Sequence, residues 1–432
     1  MTVEAGPRPE AKRPSLAENI VSLGALQLSS YLLPVAIAAY TTRVLGIEAW
    51  GRVALVQLVL GYFTLVIGWG FSWSATRKIA ALHDDQAEIS RVAVATMAGQ
   101  AMLAAAMALV LVILVLSVPF FARDAAFYLW GIGVLLGAAV FPTWLLTGLE
   151  RMRDFSIIQI SARFVTLGLV VVLVHKPSDA PLMIAANAIA GICAGAATLF
   201  WLRRSALLAW RRPTLLQIRG ELRDGGTIFA STTAIGLYVN LTPIILGALM
   251  GPAATGYFVL ADRIRQAAQS VLAPVSNALF PRISRLVATD PLLARSMLRR
   301  SGAAIFGVSA LISAALFVGA DHLVTLVGGP AFLPAGRVLC WLAMLPVVMS
   351  FSTFFGLQVL LPNQKNKVFN IILGAAGALS LMIIVPLIAW KGTEGAAISL
   401  CITEAFVSAA MTAYLVRSGF FTGKWSRPPP AQ

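Results

Sequence analysis

The sequence predicts an all-α integral membrane protein with about twelve transmembrane helices in two six-helix bundles. Three observations predict this class: a mean hydropathy of +0.84, a charged fraction of only 12% in 432 residues, and apolar windows that recur along the whole chain. Each window has 18 or more mostly apolar residues, which is enough to cross a hydrocarbon core of about 30 Å. Soluble domains carry about twice this share of charged residues, so an ordinary soluble protein is excluded.

The twelve windows follow one another with short polar connections. They lie at approximately 17–40, 53–75, 92–117, 125–148, 155–174, 182–202, 227–250, 256–281, 301–319, 332–361, 368–390 and 394–416. The tenth window is longer than a single crossing requires. We therefore expect it to be tilted or to include interfacial residues.

Basic residues are distributed unevenly between the connections. With both termini in the cytoplasm, 24 Lys and Arg residues fall in cytoplasmic segments and six fall in outer loops (Arg43, Arg52, Arg123, Lys176, Arg337 and Lys391). Lys and Arg concentrate on the cytoplasmic side of membrane proteins, so this orientation is predicted. The net charge of +15 then reflects topology and contact with anionic lipids, and nucleic acid is not an expected partner.

Two motifs recur at nearly constant spacing. Gly46–Gly51 corresponds to Gly251–Gly256 at an offset of 205 residues, and Gly148–Phe155 corresponds to Pro362–Phe369 at 214. Because the paired motifs occur in the same order at similar offsets, they predict that the chain consists of two copies of one half. The halves are residues 1–204 and 227–432, and a cytoplasmic linker at 205–226 joins them. Because each half has an even number of helices, both halves have the same orientation in the membrane. The Arg-rich linker is expected to rest on the anionic inner leaflet.

Charged residues inside the predicted spans are the main functional candidates. The eighth window contains Asp262-Arg263-Ile264-Arg265, and its polar residues share one helical face. That face comprises Asp262, Arg265, Gln266, Gln269 and Ser276. A charge within a bilayer is costly, so the polar face is expected to line a cavity between the halves. The counterpart of the quartet at offset 205, Gln57–Leu60, is uncharged, which predicts a cationic wall contributed mainly by the second half.

Arginine side chains are the predicted substrate ligands. The guanidinium fork matches phosphate and carboxylate oxygens, so Arg163, Arg263 and Arg265 are candidates to hold a diphosphate or an acidic sugar. Gln266 and Gln269, and Arg52 at the outer mouth, complete the candidate set. Alternatives remain open: each Arg could extend to the membrane surface, and Arg265 could form a helix pair with Asp262.

Two carboxylates inside the predicted spans are candidates for binding a coupling ion. Asp262 and Glu404 could exchange a proton or another cation as access alternates, although a structural ion pair is an equal alternative for each. No catalytic residue, metal site or other cofactor is predicted, because the three His residues fall in separate loops and no phosphate-binding Gly-Lys-Ser/Thr loop occurs. Trp50, Trp69 and Trp73 are interpreted as an interfacial aromatic belt.

Motifs near the N-terminus carry a family resemblance. They are Asn19-Ile-Val-Ser-Leu with Gln27, Arg43–Gly46, Trp50-Gly51 and the run from Gly70 to Arg77. Together they resemble the polysaccharide transporter (O-antigen flippase) family of the multidrug/oligosaccharidyl-lipid/polysaccharide exporter superfamily. The resemblance implies an exporter-type V-shaped pair of bundles in the bacterial inner membrane. It implies alternating access that moves an undecaprenyl-diphosphate-linked oligosaccharide to the outer leaflet for O-antigen or exopolysaccharide synthesis. Membrane lipids, a polysaccharide polymerase and glycosyltransferases are the implied partners.

Two other functions remain as alternatives. A cation-coupled multidrug exporter of the same superfamily should present acidic groups to cationic drugs, whereas Arg outnumbers carboxylates inside the predicted spans. A membrane glycosyltransferase or polymerase needs a sizeable outer loop with catalytic groups, and the predicted outer loops have only about five to ten residues. We therefore expect a transporter rather than an enzyme.

Overall fold

The computed structural model describes residues 16–82, 85–205 and 208–420, and within those ranges it is helical without any strand. The predicted basic tail before Leu16 and the basic residues after Phe420 lie outside the described residues. The helices are α1 (Leu16–Gly68), α2 (Phe71–Ala81), α3 (Gln86–Ser117), α4 (Pro119–Ala122), α5 (Ala125–Val140), α6 (Thr143–Gly148), α7 (Met152–Leu173), α8 (Ala180–Arg204), α9 (Leu215–Met250), α10 (Pro252–Gln269), α11 (Leu272–Thr289), α12 (Pro291–Val318), α13 (Ala320–Gly328), α14 (Ala335–Leu342), α15 (Leu345–Thr353), α16 (Asn366–Lys391) and α17 (Thr393–Arg417). A π-helix, Phe354–Leu360, follows α15.

The all-helical membrane class is confirmed. Among the described residues, nine helical segments are long and apolar enough to cross a membrane. The first of them, Ser29–Ala81, includes residues 29–40 of the first predicted window and all of the second, because α1 continues through a kink at Gly46 and α2 follows it closely. The seventh window contributes only a shorter apolar helix, Leu241–Met250, and the eighth is not among the nine. The count of twelve crossings therefore stays a prediction.

The duplicated glycine motif has the same backbone conformation in both copies. Gly46 has φ 72° and ψ 178°, and Gly251 has φ 87° and ψ 176°. Positive φ is the region that glycine adopts without the steric cost that a Cβ imposes. Each copy thereby turns the chain from one long helix into the next at equivalent points, 205 residues apart.

The second duplicated motif also repeats residue for residue. Glu150 and Gln364, 214 residues apart, both have positive φ, 56° and 58°. In each copy the amide of the next residue donates to the carbonyl five residues before itself, at 2.9 and 3.0 Å. The ends of α8 and α17 match as well, because Ser205 and Ser418 each donate an amide to the carbonyl four residues earlier at 2.9 Å. The paired motifs thus share their local geometry, and the duplication of the whole unit stays a prediction.

The predicted linker is partly helical. Helix α9 begins at Leu215 after a capping box, in which Thr214 Oγ1 accepts from the Gln217 amide at 3.3 Å and the Gln217 side chain accepts from the Thr214 amide at 2.8 Å. Because α9 continues to Met250, the predicted boundary at residue 226 lies inside a continuous helix. Leu215 and Leu216 are exposed, as an amphipathic segment on a membrane surface would require.

Two long predicted windows are interrupted in the structure. The eighth is divided between α10 and α11, with a break at Ser270–Val271. The tenth is divided among α14, α15 and the π-helix, so its extra length is taken up by breaks in the helix. Helix breaks at membrane depth require neighbours that satisfy the freed backbone groups, which is typical of segments that line a cavity.

The prediction that Trp50 belongs to an interfacial aromatic belt is wrong, because its side chain is fully buried. Its indole Nε1 donates to Thr41 Oγ1 at 3.0 Å, and its ring meets Phe332 edge-on with the centroids 5.7 Å apart. Trp50 therefore packs between the two halves. Trp73, by contrast, is exposed, as a residue of such a belt would be.

Candidate functional site: a cleft between the two halves

The two halves are closed against each other at their predicted outer ends. A Cβ added to Gly51 would lie 2.6 Å from the Pro252 carbonyl carbon, and one added to Gly256 would lie 3.4 Å from the Gly51 Cα. Thr42 Oγ1 donates to the Val327 carbonyl at 3.2 Å across the same contact. We call this region the outer seam. The duplicated glycines let the two backbones approach more closely than any side chain would permit.

Three adjoining cavities lie beyond the outer seam. The first, of about 320 Å³, is formed mainly by the first half; the central cavity, of about 340 Å³, lies between the halves; the third, of about 420 Å³, is formed mainly by the second half. The first and central cavities share Pro34, Gln57 and Arg263. The central and third cavities share Tyr31, Arg265, Gln266 and Met349. The shared walls make them one cleft, which we call the central cleft.

Arg265 is buried at the middle of this cleft. Its Nε donates to Asp262 Oδ1 at 2.8 Å, and its Nη1 donates to Gln269 Oε1. Gln266 Nε2 donates to the other Asp262 oxygen at 2.6 Å. The predicted helix pair between Arg265 and Asp262 is therefore present, and Arg265 also lines the central and third cavities. The pair holds the guanidinium in place, because a buried charge needs hydrogen bonds to replace those of water.

Arg263 crosses from the second half to the first. Its Nη2 donates to Gln57 Oε1 at 2.9 Å, and its guanidinium carbon lies 5.4 Å from the Trp50 ring centroid. Arg263 and Gln57 line both the first and the central cavity. Arg263 is thus directed into the seam rather than along the helix toward the membrane surface.

Arg163 lines the first cavity together with Arg263. Its Nη1 donates to the Ser30 carbonyl at a long 3.5 Å, and its Nε is buried without a hydrogen-bond partner among the described residues. A half-buried guanidinium with unused donors beside a cavity is a good site for an anion, which would accept charge-assisted hydrogen bonds from it.

Arg52 is placed apart from the other candidates. It pairs with Glu48 at 2.8 Å and lies 3.7 Å from Asp124, outside the three cavities of the cleft. Its side chain is 42% exposed, which fits the interfacial alternative. A role for Arg52 in substrate binding stays a prediction that the cleft geometry does not support.

The two candidate carboxylates differ in their surroundings. Asp262 uses both oxygens to accept from Arg265 and Gln266. Glu404 is buried and lines the central cavity, yet it forms no hydrogen bond or ion pair with any residue that the structure describes. Asp262 is thus committed to the polar face of α10, whereas the Glu404 carboxylate remains available to an ion.

Several cleft residues were not identified from the sequence. Tyr31 and Met349 line the central and third cavities, and Asn187 and Thr166 line the first. A single polar or Met side chain in an apolar window gives no local signal of what it faces. Gln57 did have a signal, since it occupies the position equivalent to Asp262 in the duplicated half.

The helical fold with a cleft between two bundles is a membrane fold of the exporter type. The lipid II flippase MurJ in an inward closed conformation has a TM-score of 0.75 at 10% sequence identity, covering 93% of this chain and 88% of that one. An inward-facing multidrug resistance MATE family transporter of the MOP superfamily has a TM-score of 0.66 at 13% identity, covering 94% and 100%. At these identities the similarity establishes the fold alone.

Sequence comparison then gives the family. The profile of the family described as "Polysaccharide biosynthesis protein" matches residues 16–287. A protein of Escherichia coli (strain K12) named "Putative O-antigen transporter" is 32% identical over 407 residues, covering 93% of this chain and 97% of that protein. The chain belongs to this polysaccharide biosynthesis protein family, which confirms the resemblance of its N-terminal motifs.

Proposed function

We propose that this chain is a flippase that moves undecaprenyl-diphosphate-linked oligosaccharide units from the inner to the outer leaflet of the bacterial inner membrane. The observation that carries the proposal is the central cleft, in which three arginines (Arg163, Arg263 and Arg265) line adjoining cavities against two carboxylates. Such a cleft attracts a multiply charged anion such as a diphosphate. The name of the E. coli relative supports transport of O-antigen units rather than catalysis.

Each arginine has a distinct part in the proposed binding. Arg163 supplies the unused donors, so it is the expected first ligand of the diphosphate. Arg265 is held by Asp262 and Gln269 and would present its remaining donor edge to the sugar or phosphate. Arg263 links the cleft to the outer seam through Gln57. The polyprenyl chain would stay in the lipid, because transferring it to a polar cleft would expose apolar area to water.

We propose alternating access in which the outer seam opens to release the substrate. Release to the outer leaflet requires the glycine contact at Gly51 and the Arg263–Gln57 bond to separate. An anion that takes up Arg263 donors competes with Gln57 and so favours the open state. A ligand can shift such an equilibrium only through this kind of difference in affinity between the two states.

We propose Glu404 as the better of the two coupling-ion candidates. Its carboxylate faces the central cavity without a hydrogen bond or ion pair to the described residues, whereas Asp262 is already hydrogen-bonded by two neighbours. Binding a proton or another cation would remove the cost of an unpaired buried charge. Glu404→Gln should therefore make transport insensitive to the ion gradient, while Asp262→Asn should weaken Arg265 placement without that effect.

The decisive experiment measures surface polysaccharide in cells that depend on this chain. Arg163→Ala combined with Arg265→Ala should reduce the polymer at least about tenfold, while lipid-linked units accumulate in the inner leaflet. Arg285→Ala with Arg300→Ala is the matched control, because both residues are exposed and lie outside the cleft. Unchanged polymer in the cleft variant, at equal protein levels in the membrane, would refute the proposal.

A drug-accumulation assay separates the remaining transporter alternative. Cells with and without the chain should accumulate cationic drugs equally if the cleft serves an anion. Reduced accumulation that depends on Glu404 would instead favour a cation-coupled multidrug exporter. Purified protein with lipid-linked sugar should give no new covalent product, which tests the glycosyltransferase or polymerase alternative.

A further inference from the structure

A further cavity, of about 340 Å³, lies at the predicted inner end of the second half. Its lining comes from α12, from the π-helix and from Phe420, which follows the end of α17. The residues that matter here are Arg295, Arg299, Phe306, Phe354, Phe355 and Phe420. All three elements meet on the side where the cytoplasmic connections are predicted. We call this cavity the inner groove.

The floor of the inner groove is aromatic. Phe306 meets Phe354 edge-on with ring centroids 5.3 Å apart, and Phe354 meets Phe355 edge-on at 5.7 Å. The Phe354 ring rests against Gly302, where an added Cβ would be 3.0 Å from the ring. The consecutive residues Phe354 and Phe355 both line this floor within a π-helix, an irregularity that is frequent at functional sites. A surface of this kind accommodates an apolar chain.

The rim of the inner groove is cationic, and within the described ranges its two arginines have no hydrogen-bond or ion-pair partner. Arg295 and Arg299 are one turn apart on α12, so their side chains lie on the same face. Neither forms a hydrogen bond or ion pair within the ranges that the structure describes. The nearby Asp290 is used as the N-cap of α12, where it accepts from the Leu293 amide at 3.0 Å. The pair therefore presents two sets of free guanidinium donors above an apolar floor.

We infer that the inner groove binds an anionic phospholipid of the inner leaflet, with its phosphate on Arg295 and Arg299 and an acyl chain along the phenylalanines. The combination of a double cation with an aromatic floor fits an amphiphile and not a soluble anion, which would leave the floor exposed to water. Phosphate accepts charge-assisted hydrogen bonds from Arg, which are the strong class of such bonds. The location at the predicted cytoplasmic surface fits the leaflet that carries anionic lipids.

The bound lipid has a structural consequence for the central cleft. Phe354 lines the inner groove on one side and the third cavity of the cleft on the other. An acyl chain in the groove supports this ring from behind and stabilises the wall that faces Arg265. The inference concerns a resident lipid and is independent of which substrate the cleft transports.

Native mass spectrometry of the full chain with added phosphatidylglycerol tests the inference. Arg295→Gln with Arg299→Gln should weaken phosphatidylglycerol binding at least about tenfold, whereas the control Arg285→Gln with Arg300→Gln removes the same charge and should leave binding within about twofold. Phosphatidylcholine, which has no net charge, should bind the wild-type chain more weakly. The proposed lipid site would be refuted if both double variants lost phosphatidylglycerol binding equally, or if the wild-type chain bound the two lipids equally.

Ala303→Trp tests the groove without changing any charge. Ala303 is exposed and lines the cavity, so an indole there should fill it and reduce phosphatidylglycerol binding to a similar degree. Retained binding would show that the lipid contacts the arginines without entering the groove, which contradicts the inference. Undecaprenyl phosphate added in equal amount should not displace phosphatidylglycerol; preferential displacement would overturn the assigned occupant. Gel filtration and melting temperature establish that each variant is folded.

Discussion

Arg263 and Gln57, which lie in different halves, are joined across the seam by a hydrogen bond of 2.9 Å from Arg263 Nη2 to Gln57 Oε1. Gln57 is the residue of the first half that is equivalent in sequence to Asp262, at the offset of 205 residues. One half therefore supplies a carboxylate at this position, while the other supplies a neutral acceptor that reaches across the seam. If the predicted duplication is right, its two copies differ at this position, where they meet.

Gln57→Leu should weaken the contact between the halves. A hydrogen bond to a charged group contributes about 1.5–3 kcal/mol, and the substitution leaves the Arg263 donor partly buried without an acceptor. We expect a lower melting temperature in detergent. A double-mutant cycle with Arg263→Leu should give a coupling energy of at least about 0.5 kcal/mol. Additive effects of the two substitutions would show that the bond contributes nothing.

Gly51→Ala should loosen the outer seam. The new Cβ would lie 2.6 Å from the Pro252 carbonyl carbon, so the two backbones must separate. Overpacking of this kind costs about 1–3 kcal/mol. The measurements are melting temperature and the labelling rate of a Thr42→Cys reporter, since Thr42 is buried in the seam.

Gly374→Ala is the control for that substitution. Gly374 lies inside α16 with open space around it, and alanine favours a helix by about 1 kcal/mol over glycine. This variant should be as stable as the wild-type chain or more stable. Destabilisation equal to that of Gly51→Ala would indicate a general effect of losing glycine.

Lys78→Ala should release the start of α9 from the first half. Lys78 Nζ lies 2.7 Å from both Glu221 Oε2 and Asp224 Oδ2, and Glu221 is buried. Removing Lys78 leaves a buried carboxylate without this partner; an unsatisfied buried polar group costs about 1–3 kcal/mol, and a charged one costs more. Hydrogen exchange should increase in the first turns of α9. Arg77→Ala, at an exposed neighbouring position, should leave exchange unchanged.

Asp124→Asn should remove a pH-dependent loss of stability. Burial raises the pKa of the Asp124 carboxyl above its ordinary value of 3.8, and the opposing effect of Arg52 and Arg123 is weaker. Between the unfolded and folded pKa values, the folded state keeps a proton that the unfolded chain has released. The free energy of unfolding therefore falls as pH rises through this interval.

The measurement for Asp124 is melting temperature as a function of pH. The Asn variant should melt higher than the wild-type chain at about pH 7, and the difference should shrink toward pH 4. Glu48→Gln is the control, because Glu48 is exposed and pairs with the same Arg52. A lower melting temperature of the Asn variant at pH 7 would contradict the assignment.

The membrane class and the duplicated turns could be predicted from the sequence because both depend on local patterns. Hydropathy marks each apolar helix, and glycine at Gly46 and Gly251 marks conformations that other residues adopt only with strain. The helical period also placed Asp262, Arg265 and Gln266 on one face. The structure places all three on the wall of the central cavity.

The sequence by itself thus determined that this protein lies in a membrane, that it is helical, and that α10 has a polar face. Only the tertiary structure decided what each charge meets. Arg163 and Arg263, 100 positions apart, line one cavity; Arg52 lies outside the cleft; Trp50 is buried between halves instead of at an interface. The physical reason is that periodicity fixes a side chain's direction on its own helix, whereas its partner depends on how helices distant in sequence pack.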